Sequence, residues 1–152
     1  MAVAEQVTAG VAWERTLRAV SRLLRVFDRE MQDDVDVPLT WYDVFVQLYA
    51  APEMKLRMQT LSDSLVLTRS GATRLVDRIE KAGLVRREPA AEDRRGYYAI
   101  LTEDGQRLMA RAQKAHGAGI ERHFGKHLDP DEQRTLFAIM SKLLAGNQNI
   151  SA

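Results

Sequence analysis

Residues 11 to 34 carry an apolar side chain every three or four residues, and this stripe constrains the fold more than any other feature of the sequence. Its members are Trp13, Leu17, Val20, Leu24, Phe27 and Met31. Such spacing places all of them on one face of an α-helix, so we predict a long amphipathic first helix. Because burying a large apolar side chain is worth about 1.5–3 kcal/mol, this face must be covered by another apolar surface.

A second stripe, made of arginines, follows the same predicted helix. Its members are Arg15, Arg18, Arg22, Arg25 and Arg29. Helical geometry places this stripe roughly 150° from the apolar face. A solvated cationic face is the simplest interpretation, and a second anion-binding surface is the alternative.

Prolines and capping residues divide the chain after the first helix. Pro38 is expected to end that helix, and Thr40 to cap a second helix over 41–50, with Asp43 able to reach back to the cap. Pro52 is expected to end the second helix, and residues 55–57 could form a short strand.

The middle of the chain has the order of a helix-turn-helix. A short third helix is expected over 59–66, a two-residue turn at 67 and 68, and a fourth helix over 69–82 that Gly83 closes. Two strand-like runs then bracket a loop from 89 to 95. A helix-turn-helix followed by a two-stranded wing is therefore predicted.

The C-terminal third is expected to form two further helices. Thr102 is expected to cap a long helix that runs to about residue 125. Asp129, Pro130 and Glu132 form a start signal for a last helix with an apolar face. The sequence thus predicts a mainly α fold with a small β-wing, the winged helix-turn-helix class.

The fourth predicted helix has an apolar face and a polar face. The apolar, inward positions are Ala72, Leu75, Val76 and Ile79, and the polar, outward positions are Ser70, Thr73, Arg74, Asp77 and Lys81, bordered by Arg69 and Arg78. Arginine, hydroxyl and small side chains suit insertion into a DNA major groove, where arginine can bond guanine in bidentate fashion. The alternative is an ordinary solvent-facing helix.

The predicted wing loop holds two arginines, Arg94 and Arg95, where no core can use them. A long planar cation fits a narrow minor groove, where the potential is most negative, and Asp93 could hold one guanidinium in place. A solvated turn is the alternative. The stretch from Lys55 to Arg95 has a net charge of +4 and the rest of the chain −3. This distribution is compatible with a polyanion partner for the middle of the chain and equally with chance clustering of charges.

Residues 67 to 109, LTRSGATRLVDRIEKAGLVRREPAAEDRRGYYAILTEDGQRLM, resemble the MarR family of bacterial winged helix-turn-helix repressors. The order and length of the outer helices extend this resemblance over nearly the whole chain. The resemblance implies DNA contacts by Ser70, Thr73 and Arg74, and wing-tip contacts by Arg94 and Arg95 braced by Asp93.

The resemblance also implies an intertwined helical dimerisation region, residues 1–37 and 106–152, and a DNA-binding lobe, residues 38–105. A homodimer is expected from the residues as well, because both ends carry apolar helical faces that the middle cannot cover alone. Two-fold pairing would place two recognition helices about 34 Å apart, so the expected partner is double-stranded DNA with an inverted-repeat operator.

A small aromatic or lipophilic effector is a further implication of the resemblance. Trp13, Trp41, Tyr42 and Phe45 could line its pocket, although packing as core is the simpler interpretation for aromatic residues at helical spacing. The function expected from all these features is a ligand-responsive, sequence-specific transcriptional regulator, a repressor. A winged-helix protein-interaction module without sequence-specific DNA binding is the alternative.

The sequence also leads us to expect that several other functional classes do not apply. The chain has no cysteine, which rules out disulfides and thiolate metal sites within it. It has no phosphate-binding glycine loop or nucleophile motif, so no enzyme activity and no cofactor are expected. His123 and His127 have the spacing of a helical metal pair but no acidic partner in register, so surface histidines are the simpler interpretation. No signal peptide or membrane span is expected, and a cytoplasmic location follows as the default.

Overall fold

The computed structural model describes residues 7–65, 68–91 and 93–147, and the side chains of Arg69, Arg94 and Arg95 lie outside this description. The elements in chain order are α1 (Ala9–Val35), α2 (Leu39–Ala50), β1 (Lys55–Arg57), α3 (Met58–Ser64), α4 (Arg69–Lys81), β2 (Val85–Ala90), β3 (Asp93–Leu101), α5 (Glu103–His123) and α6 (Pro130–Gly146). The chain divides into two compact units, residues 1–116 and 117–152, with the boundary inside α5. This mainly helical fold with a small antiparallel sheet confirms the predicted class.

The predicted long first helix is confirmed. Thr8 caps α1 through its Oγ1, which accepts a hydrogen bond of 3.4 Å from the backbone N–H of Val11. Asp36, in the left-handed conformation, ends the helix and donates its N–H to the last carbonyls. Only the C-terminal end of the apolar stripe is buried by this chain, since Met31 is 1% exposed while Trp13 is 65% exposed.

The predicted N-cap of α2 is wrong. The helix begins at Leu39 after Pro38, whose fixed backbone suits the position, and Thr40 lies inside the first turn. The backbone N–H of Leu39 instead donates a 2.8 Å hydrogen bond to Oδ1 of Asp28, a residue of α1. A carboxylate eleven residues upstream thus satisfies the first free N–H group of α2.

A single hydrophobic core joins the elements of the first unit. Its largest fully buried members include Phe45 and Leu48 from α2 and Leu61 from α3. All four apolar positions predicted for the inner face of α4, Ala72, Leu75, Val76 and Ile79, are at most 2% exposed. Packing of this face against the core fixes which side of α4 remains in solvent.

Both ends of α4 are well defined. Thr68 is the N-cap, and its Oγ1 accepts a 3.2 Å hydrogen bond from the N–H of Gly71. At the other end Gly83 has a φ of +75°, and the N–H groups of Gly83 and Leu84 bond the carbonyls of Glu80 and Ile79. This is a Schellman arrangement, and it confirms the predicted role of Gly83. The predicted turn at 67 and 68 lies partly outside the described residues.

The sheet is larger than predicted. It has three antiparallel strands in the order β1-β3-β2, because β1 pairs with β3 from Lys55 opposite Ile100 to Arg57 opposite Tyr98. The wing itself is therefore joined to the helix-turn-helix by a third strand. The possible strand at 55–57 is confirmed.

The loop predicted from 89 to 95 is also wrong. Strand β2 continues through Pro89 to Ala90 and β3 begins at Asp93, with a register shift between Pro89 and Ala90. Pro89 does not end its strand because β2 lies at the sheet edge, where a missing N–H is tolerated. Arg94 and Arg95 consequently lie at the start of a strand rather than in a loop.

The start signals of the last two helices are confirmed. Thr102 accepts a 3.1 Å hydrogen bond from the N–H of Gly105 at the start of α5, which ends at His123. Asp129 and Glu132 form a complete capping box at the start of α6.

The apolar residues of α6 are largely exposed to solvent, with Phe137 76% and Leu144 72% exposed. Within the ranges that the structure covers, no helix is long and apolar enough to cross a membrane.

Candidate nucleic-acid interface

The outward face of α4 combines hydroxyl and guanidinium groups in solvent. Ser70, Thr73, Arg74 and Arg78 are all exposed, as predicted from the helical faces. In the described part of the chain, neither the Arg74 nor the Arg78 side chain has an ion pair or a hydrogen bond. Their positive charges are therefore free to meet an anionic ligand at the surface. Arg69 begins the same helix, but its side chain lies outside the described residues.

Arg87 of β2, which sequence reasoning did not single out, connects the wing to α4. Its Nη1 donates to Oδ1 of Asp77 at 2.6 Å and to Oε2 of Glu80 at 3.0 Å, and its Nη2 reaches the carbonyl of Thr73 at 3.4 Å. The backbone N–H of Arg87 also donates to Oε1 of Glu80 at 3.0 Å. The predicted outward residue Asp77 is thus neutralised by the wing strand, which leaves the outer face of α4 cationic.

A shallow groove runs along α4 on its cationic side. It is lined by Arg74, Arg78 and Lys81 of α4 and by Thr40 of α2, together with parts of Gly71, Leu75 and Asp77. Because Thr40 lies in the first turn of α2 rather than at its cap, its side chain is turned towards this groove. Three cations and a hydroxyl along one groove suit contacts to phosphate oxygens.

The base of the wing is organised around Tyr98. The Lys55 Nζ atom lies 4.5 Å and the Arg57 Cζ atom 4.9 Å from the centroid of its ring, so two cations of β1 pack on one aromatic side chain of β3. Arg57 also pairs with Asp93 at 3.6 Å, and Lys55 with Glu88 at 3.5 Å. These contacts tie β1 to β2 and to β3, the strand that carries the wing arginines.

Gly96 lies at the point where Arg57 crosses the wing. A Cβ atom at this position would collide with Nη1 of Arg57 and would lie 2.8 Å from Oδ2 of Asp93. The glycine of the DRRG motif therefore makes room for the ion pair that braces Asp93. The brace predicted between Asp93 and a wing arginine involves Arg94 and Arg95, whose side chains lie outside the described residues.

The four candidate effector residues fall into different environments. Phe45 is fully buried and packs as core, while Trp41 and Tyr42 are half-buried against the core. Trp13 is 65% exposed, so the core interpretation is wrong for this residue within one chain. The structure thus groups the three aromatic residues of α2 but leaves Trp13 at the bare end of α1.

A half-buried histidine that the sequence did not distinguish lies beside Tyr42. The ring centroid of His116 is 5.0 Å from that of Tyr42 and 5.2 Å from that of Phe27, which joins α1, α2 and α5. Its Nδ1 atom is buried without a hydrogen-bond partner in the part of the molecule described. Burial lowers the pKa of His116 and raises the pKa of Tyr42, since both charged forms would lose water.

The other two histidines lie near the end of α5. His127 is exposed and His123 is partly buried. Among the described residues no three histidine, aspartate or glutamate side chains converge as a metal site would require.

Taken together, an exposed cationic helix beside a braced β-hairpin defines a winged helix-turn-helix protein that binds DNA. The MarR family model matches residues 35–96. The HTH-type transcriptional regulator PrsX of Escherichia coli is 31% identical over 82% of this chain and 79% of its own. The chain belongs to the MarR family of DNA-binding transcriptional regulators, and the expectation that it is not an enzyme agrees with that family.

Solved structures show the same fold. Sco3205, a MarR family regulator from Streptomyces coelicolor determined in complex with DNA, is 32% identical and superposes with a TM-score of 0.87 over 100% of this chain and 96% of its own. An organohalide-sensing regulator in its 2,4-dichlorophenol-bound form is 15% identical, with a TM-score of 0.79 over 96% of this chain and 89% of its own.

Proposed function

We propose that the protein is a cytoplasmic, ligand-responsive transcriptional repressor that binds an inverted-repeat operator as a homodimer. The observation that carries the proposal is the free cationic face of α4, where Arg74 and Arg78 lie exposed while Asp77 is neutralised by Arg87. In this proposal α4 enters the major groove, where Ser70, Thr73 and Arg74 contact bases and phosphates.

The wing supplies a second contact in the same proposal. Arg94 or Arg95 enters the adjacent minor groove from the start of β3, and the contacts of Arg57 and Asp93 hold that strand against β1. Thr40, Arg78 and Lys81 contact the phosphate backbone along the groove beside α4.

The bare apolar faces support the homodimer. Trp13, Leu17, Val20 and Leu24 of α1 are between 47% and 65% exposed, and they follow one another on a single helical face. The apolar side chains of α6 are similarly bare. A contiguous apolar face of this size on a regulator is typical of a subunit interface, so residues 1–37 and 106–152 are assigned to dimerisation and 38–105 to DNA binding.

The effector is proposed to be a small aromatic or lipophilic molecule that binds near Trp41 and Tyr42, where α1, α2 and α5 meet. The protein of the same fold in its 2,4-dichlorophenol-bound form supports this class of ligand. If the effector binds more tightly to the dimer in which the two α4 helices have their DNA-free spacing, it lowers the affinity for the operator. The loss equals the difference between the effector's binding free energies for the DNA-free and DNA-bound states.

The proposal is tested by selecting duplexes from random oligonucleotides with the purified protein and by titrating the selected sequence in fluorescence anisotropy. We expect an inverted repeat with half-sites about 34 Å apart, and an affinity that falls by orders of magnitude between about 50 and 200 mM salt. Sedimentation equilibrium should give a dimer. A monomer, or selected sequences without a common motif, would contradict the proposal and favour the protein-interaction alternative.

Two substitutions separate base contacts from backbone contacts. Arg74→Ala should relax sequence preference, because it removes a base contact worth about 1–3 kcal/mol of discrimination. Arg95→Ala should weaken binding to selected and scrambled duplexes about equally. The same titrations with both duplexes give the ratio of affinities, and an unchanged ratio in Arg74→Ala would remove this residue from the site.

A further inference from the structure

The arginine stripe of α1 is a continuous cationic row that the DNA-binding site does not use. The five residues, Arg15, Arg18, Arg22, Arg25 and Arg29, are all exposed on one uninterrupted helix. Arg18 pairs with Glu14 at 2.7 Å, with both side chains largely in solvent. Across the ranges that the structure describes, the side chains of the other four form neither an ion pair nor a hydrogen bond.

The dimensions of this row are set by the helix. From Arg15 to Arg29 it extends about 21 Å, with one guanidinium group about every 5 Å along the axis. Its C-terminal half forms a shallow groove lined by Arg22, Arg25 and Arg29 together with Val26 and Glu30. The row therefore offers evenly spaced positive charges and a small aliphatic floor.

We propose that this row is a docking surface for an acidic α-helix of a partner protein. A helix that carries Asp or Glu at alternating spacings of three and four residues presents carboxylates about every 5 Å, which matches the arginine row in register. Arginine pairs with carboxylate through its planar fork of donors, so each guanidinium can bond one carboxylate.

The row remains accessible in the homodimer, and this step rests on the proposed function. Because the arginines lie roughly 150° around α1 from Trp13, Leu17 and Val20, a second copy that covers the apolar face leaves the arginines in solvent. A partner could thus contact the regulator while both recognition helices engage DNA.

A duplex and a membrane fit the row less well. Each phosphate strand of B-DNA passes to the opposite side of the duplex within about half of its 34 Å turn, so a row of about 21 Å loses contact with it. Membrane-surface helices insert their apolar face into lipid, and in the proposed homodimer the second copy covers that face of α1. An acidic helix is the partner that matches both the charge and the straight repeat.

The proposal is tested with two fluorescein-labelled synthetic peptides of about 20 residues, long enough to span the row. Both contain the same alanine and glutamate residues, but one has its glutamates at the three–four spacing and the other has them distributed around the helix. Fluorescence anisotropy with the full chain should show the striped peptide binding about tenfold more tightly than its isomer, as expected from several aligned charge pairs.

The variant Arg22→Gln/Arg25→Gln/Arg29→Gln should lose about tenfold in affinity for the striped peptide, with operator affinity and circular dichroism unchanged, because glutamine and arginine have similar helix propensity. The matched control, Arg107→Gln/Arg111→Gln/Arg134→Gln, removes the same charge from exposed positions outside the row and should bind the peptide as the wild type does.

Equal binding of the two peptides, or unchanged binding by the Arg22, Arg25 and Arg29 variant, would overturn the proposal. If that variant instead lost affinity for scrambled duplex or for phosphatidylglycerol vesicles, the row would be assigned to DNA or to a membrane. Failure of the wild type to bind any operator would contradict the proposed function but would leave the peptide result as an independent observation.

Discussion

Replacing Arg87 with methionine tests whether the wing strand β2 keeps the outer face of the recognition helix α4 positively charged. The Arg87 side chain is 21% exposed and bonds two carboxylates and a carbonyl of α4. A buried charged hydrogen bond contributes roughly 1.5–3 kcal/mol. Because Asp77 and Glu80 are 44% and 36% exposed, we discount each pair towards the roughly 1 kcal/mol of a surface salt bridge. We expect Arg87→Met to lower the free energy of unfolding by about 1–2 kcal/mol, or the melting temperature by about 3–6 °C.

The substitution should also weaken operator binding more than the stability loss explains. Without Arg87, the carboxylate of Asp77 lies unneutralised one helical turn from Thr73 and Arg74, on the surface proposed to meet phosphates. A repulsion of about 1 kcal/mol corresponds to a loss of about fivefold in affinity. Adding Asp77→Asn to the Arg87→Met variant should recover most of that loss, because it removes the repelling charge.

The assay is thermal unfolding followed by circular dichroism, together with anisotropy titration of the selected operator at fixed salt. The control is Arg86→Met, which removes the same charge from the neighbouring residue of β2, 54% exposed and paired only with Glu88 among the described residues. We expect this control to change stability by less than about 0.5 kcal/mol. If Arg87→Met and Arg86→Met had the same melting temperature and operator affinity, Arg87 would have no role in positioning α4.

Three further predictions concern other positions. Gly105→Ala should lower the free energy of unfolding by at least about 1–3 kcal/mol, because the added Cβ would overlap a backbone carbonyl oxygen. Gly117→Ala on the same helix meets open space and should raise the free energy of unfolding by about 0.5–1 kcal/mol. The reverse order of the two melting temperatures would contradict this reasoning. Gly96→Ala should displace the guanidinium of Arg57 and weaken operator binding with little change in melting temperature, since only side chains need to move. Burial lowers the pKa of His116, so on acidification the unfolded chain binds this proton before the folded chain does. The free energy of unfolding should therefore fall as the pH drops through about 6.5 towards the lowered pKa. His116→Gln should flatten this fall between pH 7 and 5, and parallel stability profiles of variant and wild type would refute this role of His116.

The features that sequence reasoning predicted correctly all have short range along the chain. The apolar stripe of α1, the inward face of α4, the glycine that closes α4 and the capping box of α6 each depend on residues within one or two helical turns. Periodicity and capping rules are sufficient for such features because helix geometry places those residues next to one another.

The features that it missed join residues far apart in sequence. The cap of α2 comes from Asp28 on a different helix, and Arg87 reaches back over ten residues to Asp77. The extent of the wing was underestimated because Pro89 was expected to end its strand, although β2 is an edge strand, where a missing N–H is tolerated. The role of Arg57 in the wing depends on the same pairing.

The hydrogen bond from the Leu39 N–H to the Asp28 carboxylate links the start of α2 directly to α1. Because the Asp28 carboxylate accepts from a backbone N–H of the next helix, a shift of this part of α1 would break that bond unless the start of α2 moved with it. Loss of the carboxylate, as in Asp28→Ala, should leave that N–H without its acceptor and lower the free energy of unfolding by about 0.5–2 kcal/mol, which thermal unfolding would measure.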